Sequence, residues 1–342
     1  MKTLKQITLL GLLAAGLPGF SATLPTTIIG GGSDFLEIDD VSDPSTVTVN
    51  AGSENNYAGI TGGTITYNYT SNTKEDKVVF KINDNFTINS KIVAVFDKPA
   101  SFDLRNLLTF NIASGKTLTL NDFVVDYASN TSDNYIVFSG GRVVLKASES
   151  NPYTSLFHLN GTTFENNGNL VTGFTKLNSG VLNLGGNYKI AGNAYIGSGS
   201  GSTINLNGYN FHIGSGFYFE QTDLVLTVSF GDKAENGGMV VYAVGSLQQQ
   251  FASSTTIFKD FNYTEDLVLF KTPVSDLSIF EFEGYEGQEI LSKVLTAEDT
   301  IDLQIDSSYA GYTSYYVIPE PSIFAAFFGI AALALVVLKR RK

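Results

Sequence analysis

The sequence predicts an all-β chain: short parallel strands stacked as a parallel β-helix or β-solenoid, followed by an apolar C-terminal helix. Three observations lead there. Short runs of Thr, Val, Ile, Tyr and Phe, punctuated by Gly, Asn, Asp and Ser, recur between residues 23 and 318. Some of these runs repeat one another. No segment in that range carries a long apolar stripe at helical spacing. An antiparallel β-sandwich, which also reads as short strands at about 8–12-residue spacing, is the competing architecture.

Met1 to Ala22 has the pattern of a secretory signal peptide. Lys2 and Lys5 charge its start, Ile7 to Leu17 form its apolar core, and Pro18 ends that core. Small residues at Ser21 and Ala22 offer a cleavage site. Residues 23–76 follow as an N-terminal region of loops and short strands. Gly30, Gly31 and Gly32 form no phosphate loop, because no helix and no Lys-Ser/Thr pair follow them. Glu37, Asp39, Asp40 and Asp43 have the short acid spacing of an oxygen-rich calcium site. They match neither the EF-hand nor the glycine-rich nonapeptide, so they read as solvated loop acids and no metal is expected. Thr64 to Tyr69 alternates with period two, as a strand does.

Residues 77–230 form the repeat region. Lys77 to Ile82 and Thr117 to Leu120 read as strands. Leu182-Asn-Leu-Gly-Gly-Asn-Tyr-Lys-Ile190 and Ile204-Asn-Leu-Asn-Gly-Tyr-Asn-Phe-His-Ile213 share one outline, 22 residues apart. Leu118 to Val125 and Phe80 to Ile88 are related to them. A period of about 20–25 residues suits one coil of a parallel stack. Asn tolerates the turns and can form ladders between coils.

Residues 231–316 differ. Gly231 to Gly238 is a charged, turn-rich break, after which the repeat fades and acids gather. This region is expected either to cap the stack, because an open sheet edge invites aggregation, or to form a small β domain between the stack and the membrane. Its best helical segment is Glu289 to Leu295.

Residues 317–342 form the tail. Pro319, Glu320 and Pro321 come first, then 17 residues without charge from Ser322 to Leu338, then Lys339, Arg340, Arg341 and Lys342. A helix of that length spans roughly 25 Å, inside the usual range for a membrane-spanning segment. The cations would hold the cytoplasmic side, and Tyr315 and Tyr316 the opposite interface. The prolines keep the helix from running back into the body.

This tail resembles the PEP-CTERM sorting signal of Gram-negative bacteria, in its Val-Ile-Pro-Glu-Pro-Ser core, single apolar helix and basic end. The resemblance covers about the last 25 residues. It implies that an exosortase, a membrane-embedded transpeptidase, recognises Pro319, Glu320 and Pro321 as substrate residues and processes the tail.

Charge agrees with an exported body. The chain holds 21 basic and 33 acidic residues, and the two termini carry six of the bases and one of the acids. The 15 basic and 32 acidic residues between them repel nucleic acid and anionic lipid. The absence of cysteine excludes disulfides, thiolate zinc sites and a cysteine nucleophile.

Little points to catalysis. His158 and His212 each sit between apolar neighbours, with no nucleophile elbow or His-Glu-x-x-His pattern nearby. Asp103, Asp122 and Asp126 could supply the carboxylate pair of a glycosidase, but they read as solvated strand-end acids. There is no tryptophan for a sugar platform, and Arg105 and Arg142 are the only arginines between 77 and 230. The expected protein is therefore a non-enzymatic cell-surface or extracellular-matrix protein without cofactor. Its expected partners are an exosortase-type enzyme, the membrane and extracellular polysaccharide, not nucleic acid. The second reading is a polysaccharide lyase or glycosidase on a β-helix.

Overall fold

The structure, a computed structural model, describes residues 27–30, 45–49, 59–60, 64–69, 78–88, 91–96, 108–121, 123–127, 135–146, 156–197, 199, 201–231, 238–243, 247–248 and 253–318. These residues form mostly short strands in parallel sheets, with little helix. That is the arrangement a β-solenoid requires, and it is not that of an antiparallel sandwich.

Four hydrogen-bonded ladders run through the described residues. Ladder I joins Thr27–Gly30, Thr64–Tyr69, Lys91–Phe96 and Phe123–Tyr127. Ladder II starts with Ser45–Val49, Val78–Ile82, Leu108–Ile112, Tyr135–Ser139 and Leu156–Asn160. It continues through Phe174–Asn178, Ala194–Ile196 and Phe217–Phe219 to Leu247–Gln248. Ladder III starts with Gly59–Ile60, Phe86–Ile88, Thr117–Leu120, Arg142–Lys146 and Thr163–Asn167. It continues through Val181–Gly185, Ser202–Asn205, Val225–Ser229 and Thr255–Lys259 to Phe280–Phe282. Ladder IV joins Leu170–Thr172, Tyr188–Ile190, Asn210–Ile213, Met239–Tyr242 and Leu267–Phe270, and closes with Thr313–Val317 and Ile290–Val294.

The chain visits ladder II, then III, then a third position, and repeats. Ladder I fills the third position in the early coils and ladder IV in the later ones. Phe123–Tyr127 is the last strand of ladder I and Leu170–Thr172 the first of ladder IV, and residues 147–155 between them lie outside the described residues. One coil is therefore a II–III–third-strand unit, and its length varies. Leu156 pairs with Phe174, 18 residues on, whereas Ser45 pairs with Val78, 33 residues on. The range is wider than the 20–25 residues the repeats suggest, because the connections absorb insertions while the strand pairing is kept.

Period two then separates inside from outside. In ladder III the inward row runs Leu118, Val143, Phe164, Leu182, Ile204, Val228, Phe258 and Phe282, all buried. In ladder II it runs Phe110, Phe138, Leu159, Leu177, Ile196 and Phe219. These rows meet in one hydrophobic core. Several buried polar residues share the inward faces, among them Thr172, Thr175, Ser202, Thr256 and, in the next row of ladder III, Asn166. Asn166, fully buried, lies between Leu145 and Leu184. Its Nδ2 donates to the carbonyls of Gly168 (2.8 Å) and Gly186 (2.9 Å), so the buried amide is satisfied by two turns. Those turns lie so close that a Cβ on Gly186 would meet the Gly168 carbonyl carbon at 2.2 Å.

The predicted repeat is stacked in register. Leu182 and Asn183 pair with Ile204 and Asn205, and Ile190 with Ile213. Phe80 to Ile88 is out of phase with it, however. That segment crosses from ladder II to III, whereas Leu182 to Ile190 crosses from III to IV. The true partner of Leu118 in the preceding coil is Phe86.

The ladders also cross both expected boundaries of the repeat region. Ser45–Val49 pairs with Val78–Ile82 across residue 77, and Val225–Ser229 with Thr255–Lys259 across residue 231. Parallel pairing ends at Phe280–Phe282. The chain then returns, and Thr313–Val317 lies antiparallel between Leu267–Phe270 and Ile290–Val294.

The expected helix over Glu289 to Leu295 is a strand, Ile290–Val294. Its helix-favouring Leu and Lys are outweighed by pairing with Thr313–Val317. It reads poorly as a strand because it lies at the edge of its sheet, exposed or half-buried throughout. The helix begins just after it, at Ala297–Asp302. Thr296 and Asp299 form a reciprocal capping box there, each side chain accepting the other's backbone N–H.

Candidate interaction surface

The tail groups named from the sequence, Pro319, Glu320, Pro321, the span Ser322 to Leu338, and Lys339, Arg340, Arg341 and Lys342, lie outside the described residues. So do the signal segment 1–22, the loop acids Glu37, Asp39, Asp40 and Asp43, and Asp103 and Asp122. Asp126 lies on ladder I opposite Val95. Among the described residues, no helix is long and apolar enough to cross a membrane, and no group of three or more His, Asp or Glu is placed to hold a metal ion.

The outward face of ladder II carries a row that the sequence reading missed. His158 pairs with Lys176, Lys176 with Tyr195, and Tyr195 with Tyr218. Tyr195 stacks on Tyr218 with ring centroids 5.3 Å apart, and Phe174 on Tyr195 at 6.5 Å. The interplanar angles are 18° and 19°, so the rings cover one another's faces along the stack. Asn193 Nδ2 donates to the Tyr195 hydroxyl at 3.0 Å, and Lys176 pairs with Glu220 at 2.6 Å. A sugar platform needs an open ring face. This row instead holds the coils together. Its only signal in sequence was the aromatic spacing of about one coil.

His158 and Asn178 make a 2.8 Å contact between Nε2 and Nδ2 on the same face. Burial, and secondarily the charge of Lys176, lower the His158 pKa from its ordinary 6.5 to about 4. The folded protein therefore holds a neutral imidazole. Above pH 6.5 both folded and unfolded states are neutral, and the contribution to stability is fully present. Between about 6.5 and 4 the unfolded chain takes up a proton that the folded one refuses, so stability falls with pH. The expected loss through this group is on the order of 3 kcal/mol. Urea unfolding at pH 7 and pH 4 should show a smaller difference in His158→Gln than in the wild type. Equal differences would remove this assignment.

His212 occupies the outward face of ladder IV, between Lys189 and Val241. Beyond it the row becomes apolar. Val241 and Leu269 are fully buried, because Leu295, Ile305, Tyr309 and Tyr312 pack over them. Tyr309 Oη lies 3.4 Å from His212 Nδ1. Burial, more than the Lys189 charge, lowers the His212 pKa. Both histidines are thus held by the fold.

At the C-terminal end of the stack, a hollow of about 410 Å³ is lined by Glu281, Glu283 and Glu286 among apolar residues. A glycosidase needs one carboxyl held protonated at neutral pH. Here the Gly284 N–H lowers the Glu286 pKa, and Glu283 is engaged by Lys259 at 2.7 Å.

Among the described residues, the outward face of ladder III is a further broad surface. One row runs Thr163, Val181, Thr203 and Thr227, and the next Glu165, Asn183, Asn205 and Ser229. All eight are half-buried, as short side chains between neighbouring strands are. Asn205 Nδ2 donates to Asn183 Oδ1 at 2.6 Å, an amide ladder between coils. Arg142 pairs with Glu165 at one end of this face, and Lys259 with Glu283 at the other.

No protein-family model, no curated protein and no solved structure matches this chain.

Proposed function

We propose that this protein is a non-enzymatic, exported surface or matrix protein: a β-solenoid body displayed outside the membrane and handled through a PEP-CTERM-type tail. In this reading the segment from Ser322 to Leu338 inserts as a transmembrane helix, with Lys339 to Lys342 on the cytoplasmic side. An exosortase-type enzyme reads Pro319, Glu320 and Pro321, and the body then reaches the cell surface or matrix, in contact with polysaccharide. The observation that carries the reading is the tail's fixed order of Pro-Glu-Pro, apolar run and basic end, with a signal-peptide pattern at the opposite terminus. The parallel stack supports it, since it presents long outward rows of short polar side chains over a continuous apolar core.

Fractionation of cells that express the full chain, Pro319→Ala, or a deletion of residues 319–342 tests the sorting step. The two variants should keep the β-sheet circular dichroism of the wild type and change compartment. An unchanged distribution of both would end the sorting reading.

A further inference from the structure

We infer that the outward face of ladder III, at Val181, Asn183, Thr203, Asn205, Thr227 and Ser229, binds an extended, uncharged glycan chain that lies along the stack. The inference rests on the proposed contact with polysaccharide, and adds the place and the chemical class.

Four features point there. The first is charge. The chain carries a net −12, which disfavours an acidic glycan. These six positions carry no charge; at the ends of the face Arg142 pairs with Glu165 and Lys259 with Glu283, and the Asp260 carboxylate accepts the Ser229 hydroxyl at 2.6 Å. An uncharged partner is the one this patch complements. The second is repetition. Register partners on adjacent coils are about 4.8 Å apart, comparable with the advance of one sugar ring in an extended chain, so equivalent groups recur at each coil.

The third is hydrogen-bonding capacity. The hydroxyls of Thr203 and Thr227 make no hydrogen bond among the described residues. The Asn205–Asn183 bond leaves the Asn183 Nδ2 protons and the Asn205 Oδ1 acceptor for a ligand, while the methyls of Val181 and the threonines suit the C–H edges of a sugar. The fourth is rigidity. β-Branched side chains on a paired strand lose little further freedom on binding, so the array is pre-organised. Among the described residues, the outward faces of ladders II and IV are less open. Rings cover rings on ladder II, and residues 295–312 cover part of ladder IV.

Full-length protein in detergent would be titrated with neutral β-glucan, galactan and mannan oligosaccharides and with alginate, in parallel with three variants. Thr203→Lys/Thr227→Lys places bulky charge on the face. Asn183→Ala/Asn205→Ala removes the amides with little steric change. Lys189→Glu alters charge on ladder IV. Circular dichroism checks that each remains folded. A neutral oligosaccharide is expected to bind the wild type, with at least tenfold weaker binding by both double variants and less than twofold change in Lys189→Glu. Undiminished binding by both double variants would overturn the site while leaving polysaccharide contact standing. Binding of alginate alone would overturn the ligand class. Failure to bind any glycan would overturn both the inference and the polysaccharide contact. A dimer in sedimentation velocity that the lysine variant abolishes, without glycan binding, would make this face an interface between copies and overturn the inference.

Discussion

Phe138→Ala is expected to destabilise the protein by about 3–5 kcal/mol, the usual cost of emptying a buried phenylalanine site. Phe138 is fully buried and is the ring on which the middle coils converge. It stacks on Phe110 of the preceding coil, with centroids 5.4 Å apart and planes at 12°. It meets Phe157 edge-on at 5.6 Å in the following coil, and Phe164 of ladder III at 5.5 Å. Such pairs contribute about 0.5–1.5 kcal/mol each beyond the area they bury. A coil contacts mainly its two neighbours, so the defect cannot be shared across a broad core. The urea midpoint should fall sharply, while outward-facing Thr119→Ala, on the adjacent ladder, should change stability by no more than about 0.5 kcal/mol. A loss below about 1 kcal/mol for Phe138→Ala would mean that the ring is not packed as described.

Asn166→Leu is expected to destabilise by about 2–4 kcal/mol, although it places an apolar side chain in an apolar row. Hydrophobicity alone argues the opposite sign, since Asn166 is flanked by Leu145 and Leu184 and is fully buried. The amide, however, holds the Gly168 and Gly186 carbonyls at 2.8 and 2.9 Å, and its Oδ1 accepts the Gly185 N–H at 3.4 Å. A leucine leaves those backbone groups without their partner, at about 1–3 kcal/mol for each one that water cannot reach. The Gly186 turn cannot shift to compensate, because it already lies against the Gly168 backbone. A leucine variant as stable as the wild type in urea unfolding would show that the amide is dispensable.

These two residues also mark how far the fold was legible in sequence. Alternation made Thr117–Leu120 readable, and its burial alternates as predicted. The Leu182–Ile190 and Ile204–Ile213 outlines were readable because equivalent side chains occupy equivalent places on consecutive coils. Asn166 was not, since Glu-Asn-Asn-Gly reads as an exposed turn, and only the inward phase of Phe164 reveals that Asn166 points inward too. The phase of Phe80–Ile88 was misjudged for a related reason. Strand–Asn–turn–aromatic is the local chemistry of every corner, so the outline recurs at corners that are not equivalent. The termination of the repeat near 231 was overestimated, because a longer connection hides pairing that persists. Of the candidate surfaces, the amide pair Asn183–Asn205 was foreshadowed by the aligned repeats, whereas the Phe174–Tyr195–Tyr218 row emerges only from register.

An exported body of parallel coils in register can be tested for both export and register by one measurement, because the chain lacks cysteine. Asn183 and Asn205 are register partners, already linked through their side chains, on the outward face. Adjacent strands place their Cα atoms about 4.8 Å apart, within disulfide range, whereas Asn183 and Ser229, two coils apart, are about 10 Å from each other and beyond it. Asn183→Cys/Asn205→Cys in the full chain, recovered from cells with thiols blocked and run on a non-reducing gel, should be oxidised without added oxidant, because the exported compartment permits disulfides. Asn183→Cys/Ser229→Cys should remain reduced. A near pair that is reduced in cells but closes with oxidant in vitro would contradict export, and a near pair that closes no better than the distant one would contradict the stack.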